Sequence, residues 1–223
     1  PELTKIAFTG STEVGRKIKK ELGGTGKSIT LELGGKSPFI IFDDADIDGA
    51  IEGLVDAIWL NQGQVCCAGS RLLVQEPIYA KVQKKLTARM KKLRIGNPLD
   101  KSIDMGAIIS SEQLSRINTM VSDSIKGGAE LFQCALPDNL EGFYFPPSLI
   151  NKVSPSMTIF QEEVFGPVLV CSTFRTPSEA VELANNSKYG LSASIWTENI
   201  NLALDVTPKI KAGVIWINST NMF

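Results

Sequence analysis

Hydrophobic and polar positions along the chain alternate between a two-residue period and a helical period. The two-residue period and short apolar runs predict strands, whereas apolar residues repeated every three or four positions predict helices. The predicted strands cover 5–9, 28–33, 39–42, 71–75, 168–174, 193–196 and 214–218. The predicted helices run from the first strand to about residue 22 and over 46–60, with further helices beginning at Pro77, Ser110 and Thr176. This alternation predicts a three-layer α/β fold with a mostly parallel sheet.

Composition limits the chemistry that the chain can carry. The 223 residues include no histidine, and 23 Lys and Arg nearly balance 24 Asp and Glu. Without histidine, a His general base, a Ser–His–Asp or Cys–His nucleophile and a His-ligated metal are excluded, and we expect no metal site. The balanced charge gives no electrostatic reason to expect nucleic acid or an anionic membrane as a partner. No apolar run reaches the roughly 18 residues of a membrane span.

The four cysteines, at positions 66, 67, 134 and 171, are too few for a disulfide framework in a chain of this length. They indicate reduced thiols, and we expect a cytoplasmic location. The chain begins with Pro1 rather than Met and ends directly after an apolar run. Both ends look cut, so we expect that targeting signals could lie outside it.

A glycine-containing turn joins the first predicted strand to the first predicted helix. Its sequence is Gly10-Ser11-Thr12-Glu13-Val14-Gly15. Glycine allows a tight turn, and the following helix N-terminus offers free N–H groups and a positive dipole end to a phosphate. Ser11 could add a hydroxyl donor. The turn is not G-x-G-x-x-G, so a plain strand-to-helix connection is the alternative.

Glu32 and Cys66 are the candidates for a general base and a nucleophile. Glu32 ends an apolar strand just before Gly34-Gly35, where desolvation would raise the carboxyl pKa and make it a usable base. Cys66 lies in a loop of small residues, where a substrate and oxyanion-stabilising N–H groups could be accommodated. The alternatives are an exposed strand residue for Glu32 and a small buried hydrophobe for a cysteine, which is our interpretation of Cys67.

Two adjacent carboxylates, Glu162 and Glu163, precede a Val-Phe-Gly-Pro segment. One of them could accept hydrogen bonds from a sugar diol, and Phe165 would supply a flat apolar wall. The alternative is a charged turn before a strand.

Taken in order, these segments closely resemble the NAD(P)-dependent aldehyde dehydrogenase superfamily. The segments that match are 8–15, 31–38, 61–71 and 162–167, with 185–191 and 213–218 as later matches. The resemblance covers 5–223, and the cysteine loop resembles the family-16 type. It implies that residues 1–34 are the last strand–helix–strand of a cofactor-binding domain and that residues 35–223 form the catalytic domain.

The resemblance also implies a role for each candidate residue. Cys66 attacks the aldehyde carbon to give a thiohemiacetal, hydride transfer leaves a thioester, and Glu32 activates the thiol or the hydrolytic water. The implied cofactor contacts are Gly10, Ser11 and Gly15 in the turn, Glu163 on the nicotinamide ribose, Phe165 near it, and Gln113 as a second ribose contact. Asn218 and Phe223 lie in segments that border the aldehyde tunnel in the family.

The resulting hypothesis is oxidation of a small-molecule aldehyde to its acid with NAD or NADP, by a parent protein that we expect to be a homo-oligomer. This route requires no histidine. The family has a large preceding half that supplies most of the dinucleotide-binding sheet, so we expect little activity from this chain alone. The alternatives are a catalytically degenerate structural or interaction module, and a reductase or phosphorylating variant, which usually lacks the base found at Glu32.

Overall fold

The computed structural model describes residues 3–222, and these residues form two separate sheets. β1 (Lys5–Thr9) and β2 (Ser28–Glu32) pair in parallel as a two-stranded sheet and are connected through α1 (Thr12–Glu21). The larger sheet begins at β3 (Pro38–Ile41). The change from one sheet to the other therefore falls in 33–37, at the glycine pair. The predicted division of the chain at residue 34 stays a prediction.

The rest of the described chain contains six further strands and six helices. The strands are β4 (Arg71–Gln75), β5 (Glu130–Gln133), β6 (Ser148–Asn151), β7 (Val168–Phe174), β8 (Ser192–Trp196) and β9 (Val214–Ile217). The helices are α2 (Ile47–Trp59), α3 (Tyr79–Met90), α4 (Ser111–Lys126), α5 (Thr158–Gln161), α6 (Pro177–Asn185) and α7 (Ile200–Val206). The larger sheet has the order β5-β6-β7-β4-β3-β8-β9. Within residues 3–222, only its β5–β6 pair is antiparallel, so the predicted mostly parallel α/β fold is confirmed.

The two faces of the larger sheet are covered by different helices. Because successive side chains of a strand point to opposite faces, Phe39 and Ile41 of β3 pack into a core that includes α2 and α3. The intervening Ile40 packs into a second core that includes α4 and α6. The continuous apolar run that predicted β3 is thus explained by burial on both faces, as in other parallel sheets.

Polar caps fix the beginnings of several helices where the sequence predicts them. Ser11, Ser110 and Thr176 each accept a hydrogen bond from the backbone N–H three residues ahead, which satisfies one of the free donors of a helix N-terminus. The helix predicted from Pro77 begins instead with a 3-10 turn at Glu76–Ile78, and α3 follows it. No helix in the described part of the chain is long and apolar enough to cross a membrane.

Candidate active site

The glycine pair is the point where the candidate site residues come together. A side chain on Gly35 would place its Cβ 2.3 Å from the backbone oxygen of Cys66, and one on Gly34 would place its Cβ 2.1 Å from a carboxylate oxygen of Glu163. Both distances are far below van der Waals contact, so a larger residue at Gly35 would displace the cysteine loop, and one at Gly34 would displace the Glu163 carboxylate. The backbone that follows Glu32 therefore lies directly against the cysteine loop and against Glu163.

The loop that carries Cys66 is held in an unusual backbone conformation. Asn61, Gln62 and Gly63 have φ angles of 48°, 57° and 69°, in the left-handed region that ordinary residues rarely adopt. A Cβ on Gly63 would lie 2.2 Å from the backbone oxygen of Gly166. The loop is therefore packed between the glycine pair on one side and the segment after Glu163 on the other.

The two adjacent cysteines have different environments. Cys66 is exposed, whereas Cys67 is buried. Burial raises the pKa of the Cys67 thiol, because a thiolate is poorly solvated there. Cys67 also lies 3.6 Å from Oδ1 of Asn221, and its backbone oxygen accepts a hydrogen bond from Ser192. Cys66 is thus the accessible thiol of the pair, and Cys67 is the small buried residue that the sequence predicts.

Glu32 is the last residue of β2, and its side chain is exposed. The burial that we expected for this carboxyl is therefore not found in the described chain. The backbone oxygen of Glu32 accepts a hydrogen bond from the N–H of Gly10 at 3.0 Å. This bond fixes the end of β2 against the turn between β1 and α1. The predicted role of Glu32 as a base stays a prediction.

The predicted cofactor turn combines a capped helix with close packing. Ser11 is the N-cap of α1, and its hydroxyl accepts from the N–H of Val14 at 3.3 Å. A Cβ on Gly10 would lie 2.6 Å from the Phe8 ring, and one on Gly15 would lie 2.5 Å from Leu33. Gly15 therefore lets α1 approach the sheet, while the exposed N-terminus of the helix stays open to an anion.

Glu162 and Glu163 are neighbours in sequence but have opposite electrostatic environments. Glu162 bonds to Lys188 and to the hydroxyl of Tyr189, and the Lys188 ammonium lowers its pKa. Glu163 is half-buried, and this burial raises its pKa although the N–H of Gly35 donates to its Oε1 at 3.1 Å. The structure therefore separates an outward, ion-paired carboxylate from one that faces the glycine pair.

Phe165 and Gln113 both belong to the setting of Glu163. Phe165 has a φ of 54° and is half-buried. The side-chain Nε2 of Gln113 donates to the backbone oxygens of Val164 and Phe165 at 2.8 and 2.9 Å. The backbone N–H of Gln113 donates to the Ser110 cap of α4 at 3.2 Å. The side chain of Gln113 ties this loop to α4, and its predicted contact with a ribose stays a prediction.

Two buried cations near the site were missed as functional candidates from the sequence. Lys36 is 1% exposed, and its Nζ has no hydrogen-bond partner among the described residues. Arg71 is equally buried, but it donates to backbone oxygens of Lys36, Leu183 and Ala184. No local signal in the sequence indicated the burial of Lys36, because lysine is almost never fully buried unless it is paired.

The residues predicted to border an aldehyde tunnel are only partly described. The amide of Asn218 is bonded to the backbone of Thr197 in both directions, at 2.9 and 3.0 Å. It extends the pairing of β8 with β9 and is used structurally. Phe223 lies outside the described residues.

The fold and these residues define a class of protein: a mostly parallel α/β catalytic domain with an exposed cysteine loop, joined by a glycine pair to a strand–turn–helix unit suited to a dinucleotide. A family model described as "Aldehyde dehydrogenase family" matches residues 1–223. The chain therefore belongs to the aldehyde dehydrogenase family.

Individual relatives agree with this assignment. An aldehyde dehydrogenase of Emericella nidulans is 43% identical over 99% of the chain and 45% of its own length. Human retinal dehydrogenase 2 is 42% identical over 98% of the chain and 42% of its own length. The chain thus spans less than half the length of the curated relatives that it matches.

Solved structures superpose closely on the described fold. An NAD-dependent aldehyde dehydrogenase from Sinorhizobium meliloti has a TM-score of 0.97 and 42% identity, covering 100% of this chain and 44% of its own. A betaine aldehyde dehydrogenase from Staphylococcus aureus, solved in complex with NAD+, has a TM-score of 0.95 and 39% identity, covering 99% of this chain and 44% of its own.

Proposed function

We propose that the protein containing this chain is an NAD-dependent aldehyde dehydrogenase that oxidises an aldehyde to its carboxylic acid. Cys66 is the nucleophile and Glu32 the general base in this proposal. The single observation that carries it is the contact between Gly35 and the Cys66 backbone, since it brings the strand end that bears Glu32 against the loop of an exposed thiol. Family membership supports the same reaction.

The proposed mechanism uses the two side chains in sequence. The Cys66 thiol loses its proton as its sulfur attacks the aldehyde carbon, giving a thiohemiacetal. Loss of a hydride from that carbon and of the hydroxyl proton to solvent leaves a thioester on Cys66. Glu32 then takes a proton from water, which hydrolyses the thioester and releases the acid and the free thiol. A carboxylate in this position replaces the histidine that other cysteine enzymes require.

NAD+ would supply the hydride acceptor, and the residues present fit such a group. The capped N-terminus of α1 offers N–H groups to the pyrophosphate. The N–H of Gly35 donates to Oε1 of Glu163, and Oε2 of Glu163 lies next to Gly34. These two contacts orient the carboxylate. In our proposal it accepts hydrogen bonds from the nicotinamide ribose, with Phe165 beside it. NAD+ complexes of structurally similar aldehyde dehydrogenases support this assignment.

The decisive experiment compares the two adjacent cysteines in the longer protein that contains this chain. NADH formation is measured by absorbance with a panel of aldehydes. We expect Cys66→Ala to lower kcat by at least about 10³-fold, as loss of a nucleophile does, and Glu32→Gln to lower it by about 10²–10⁴-fold. Cys67→Ala is the matched control and should retain activity, because its thiol is buried.

Two outcomes would contradict the proposal. Activity that survives Cys66→Ala unchanged would exclude the proposed mechanism. A longer protein that binds no NAD+ in calorimetry would instead favour a degenerate structural or interaction module. The same experiment separates hydrolytic oxidation from a reductase or phosphorylating reaction, because only the first releases free acid without a second substrate.

The remaining assignments are also proposals. We propose a cytoplasmic homo-oligomer with neither nucleic acid nor membrane as partner, on the balanced charge and the free cysteines. The resemblance of the cysteine loop to the family-16 type stays a prediction.

A further inference from the structure

The cysteine loop is connected by two glutamine side chains to a segment far along the chain. Oε1 of Gln64 accepts a hydrogen bond from the N–H of Ile109 at 3.0 Å. The side-chain oxygen of Gln62 accepts one from the N–H of Gly106 at 2.7 Å, in the amide orientation that satisfies both of its polar atoms. Both bonds join side chains of the loop to backbone donors of residues 104–109, which we call the support segment.

The support segment is itself fixed in the fold. Met105 is buried in the core that includes α2 and α3, and Ile108 is buried in the core that includes α4 and α6. The N–H groups of Asp104 and Met105 donate to the backbone oxygen of Arg94 at 2.9 and 3.1 Å. The Asp104 carboxylate also pairs with the Arg94 guanidinium. The cysteine loop is therefore attached to a part of the chain that is anchored on both faces of the larger sheet.

The cysteine loop requires such an attachment because of its backbone conformation. Asn61 and Gln62 have left-handed φ angles, which are uncommon outside glycine and persist only where the surrounding contacts enforce them. The Asn61 amide donates to the backbone oxygen of Gln64 at 3.0 Å, and the N–H of Gln64 donates to the backbone oxygen of Asn61 at 3.0 Å. Gln64 thus joins the internal bonds of the loop to the support segment, two positions before Cys66.

We propose that Gln64 is a positioning residue that holds the Cys66 sulfur in place for attack on the aldehyde carbon. Because its carboxamide oxygen is engaged by Ile109, Gln64 acts through the loop backbone rather than on the reacting atoms. A nucleophile is efficient only in the correct geometry, and a displacement of about 1 Å can lower the rate about 10²-fold. This role rests on the proposed function, whereas the attachment of the loop to the support segment does not.

The attachment is tested in the longer protein by hydrogen exchange of the Ile109 N–H, followed by mass spectrometry with fragmentation. The Ile109 side chain is exposed, so loss of the acceptor opens this N–H to water. Gln64→Met keeps the length of the side chain and removes its oxygen, and we expect exchange to become about tenfold faster. Gln64→Glu keeps an acceptor oxygen and should retain the protection. Unchanged exchange in Gln64→Met would overturn the proposal.

The positioning role is tested by the kinetics of aldehyde oxidation in the same protein. We expect Gln64→Met to lower kcat/KM by about 10–10²-fold, with the Kd for NAD+ and the urea midpoint close to those of the wild type. Gln64→Glu should be clearly faster than Gln64→Met, because it restores the acceptor. If Gln64→Met fails to fold, Gln64→Asn withdraws the acceptor by one methylene and should show the same loss.

The matched control is Gln133→Met in β5, at the far edge of the larger sheet. This change also removes a side-chain hydrogen bond, from Gln133 to the Ser148 hydroxyl at 2.9 Å, and it should leave kcat/KM unchanged.

Three outcomes would overturn the positioning role. They are an unchanged kcat/KM in Gln64→Met, a Gln64→Glu variant that is no faster than Gln64→Met, and a loss of rate that Gln133→Met reproduces. A wild-type protein that forms no NADH, although Ile109 exchange responds to Gln64→Met as expected, would contradict the proposed oxidation instead. The two failures are therefore distinguishable.

Discussion

The two sheets of the molecule bury their residues to very different degrees. Along β1 and β2, exposed and half-buried positions alternate, and no position is fully buried. All four residues of β3 and four of the five in β4 are buried. α1 adds one buried residue, Gly15, to the smaller sheet. An isolated two-stranded sheet is marginally stable, so the larger sheet holds most of the stability of this chain.

This difference divides the candidate site between a rigid and a weakly supported part. Cys66 and Glu163 are attached to the larger sheet, through loops next to β4 and β7. Glu32 and the Ser11 turn belong to the smaller sheet. The glycine pair joins the two parts, so the geometry of the site depends on contacts at 34–35 more than on the stability of β1 and β2.

The largest expected effect is the difference in stability lost when a leucine of the larger sheet and a leucine of the smaller sheet are each truncated. Leu73 of β4 is fully buried, whereas Leu31 of β2 is half-buried. We expect Leu73→Ala to lower the free energy of unfolding by about 2–5 kcal/mol and Leu31→Ala by less than about 2 kcal/mol, since less apolar area is lost. Urea unfolding followed by tryptophan fluorescence measures both. Leu73→Met, which conserves side-chain volume, is the control. Equal losses of unfolding free energy in the two alanine variants would contradict the conclusion that the larger sheet holds most of the stability.

An effect of intermediate size is expected at two glycines, Gly35 and Gly15, where an added Cβ would clash with a neighbouring atom. The contact at Gly35 is the Cys66 backbone, which cannot move without shifting the loop, whereas at Gly15 it is the end of the Leu33 side chain. We expect Gly35→Ala to cost about 1–3 kcal/mol and to slow alkylation of Cys66. Gly15→Ala should change stability by less than about 1 kcal/mol, because alanine favours the helix.

Iodoacetamide labelling with mass spectrometry measures the thiol reaction. If Gly15→Ala slowed Cys66 alkylation as much as Gly35→Ala did, the glycine pair would not be the junction that orders the site.

The elements that the sequence predicted well are those with a strong local cause. β3 and β7 are apolar over nearly their whole lengths because both faces are buried, and α1, α4 and α6 begin at polar caps. β5 and β6 were not predicted, since each has four residues and β5 mixes polar and apolar side chains. Their pairing depends on partners far along the chain.

The site could be predicted as a set of residues but not as an arrangement. The sequence motifs identified Cys66, Glu32 and Glu163 as candidates. The exposure of Glu32, however, depends on what packs over β2, and no local sequence pattern indicates that. The left-handed backbone at Asn61 and Gln62 was likewise not predicted from the sequence. The burial of Lys36 follows from the tertiary fold alone, because its charge predicts a surface position.

The smallest expected effect is the pH dependence of stability at Glu162 and Glu163. Glu163 contacts the glycine pair, whereas Glu162 pairs with Lys188. The pKa of Glu162 is lowered by Lys188, so its contribution is present above the unfolded pKa and is lost as pH falls through the folded pKa. The pKa of Glu163 is raised by burial, so stability falls as pH rises from the unfolded to the folded pKa. We expect Glu162→Gln to lower stability at neutral pH by less than about 1 kcal/mol and Glu163→Gln to raise it. Urea midpoints measured from acidic to neutral pH would contradict this if both variants changed stability in the same direction.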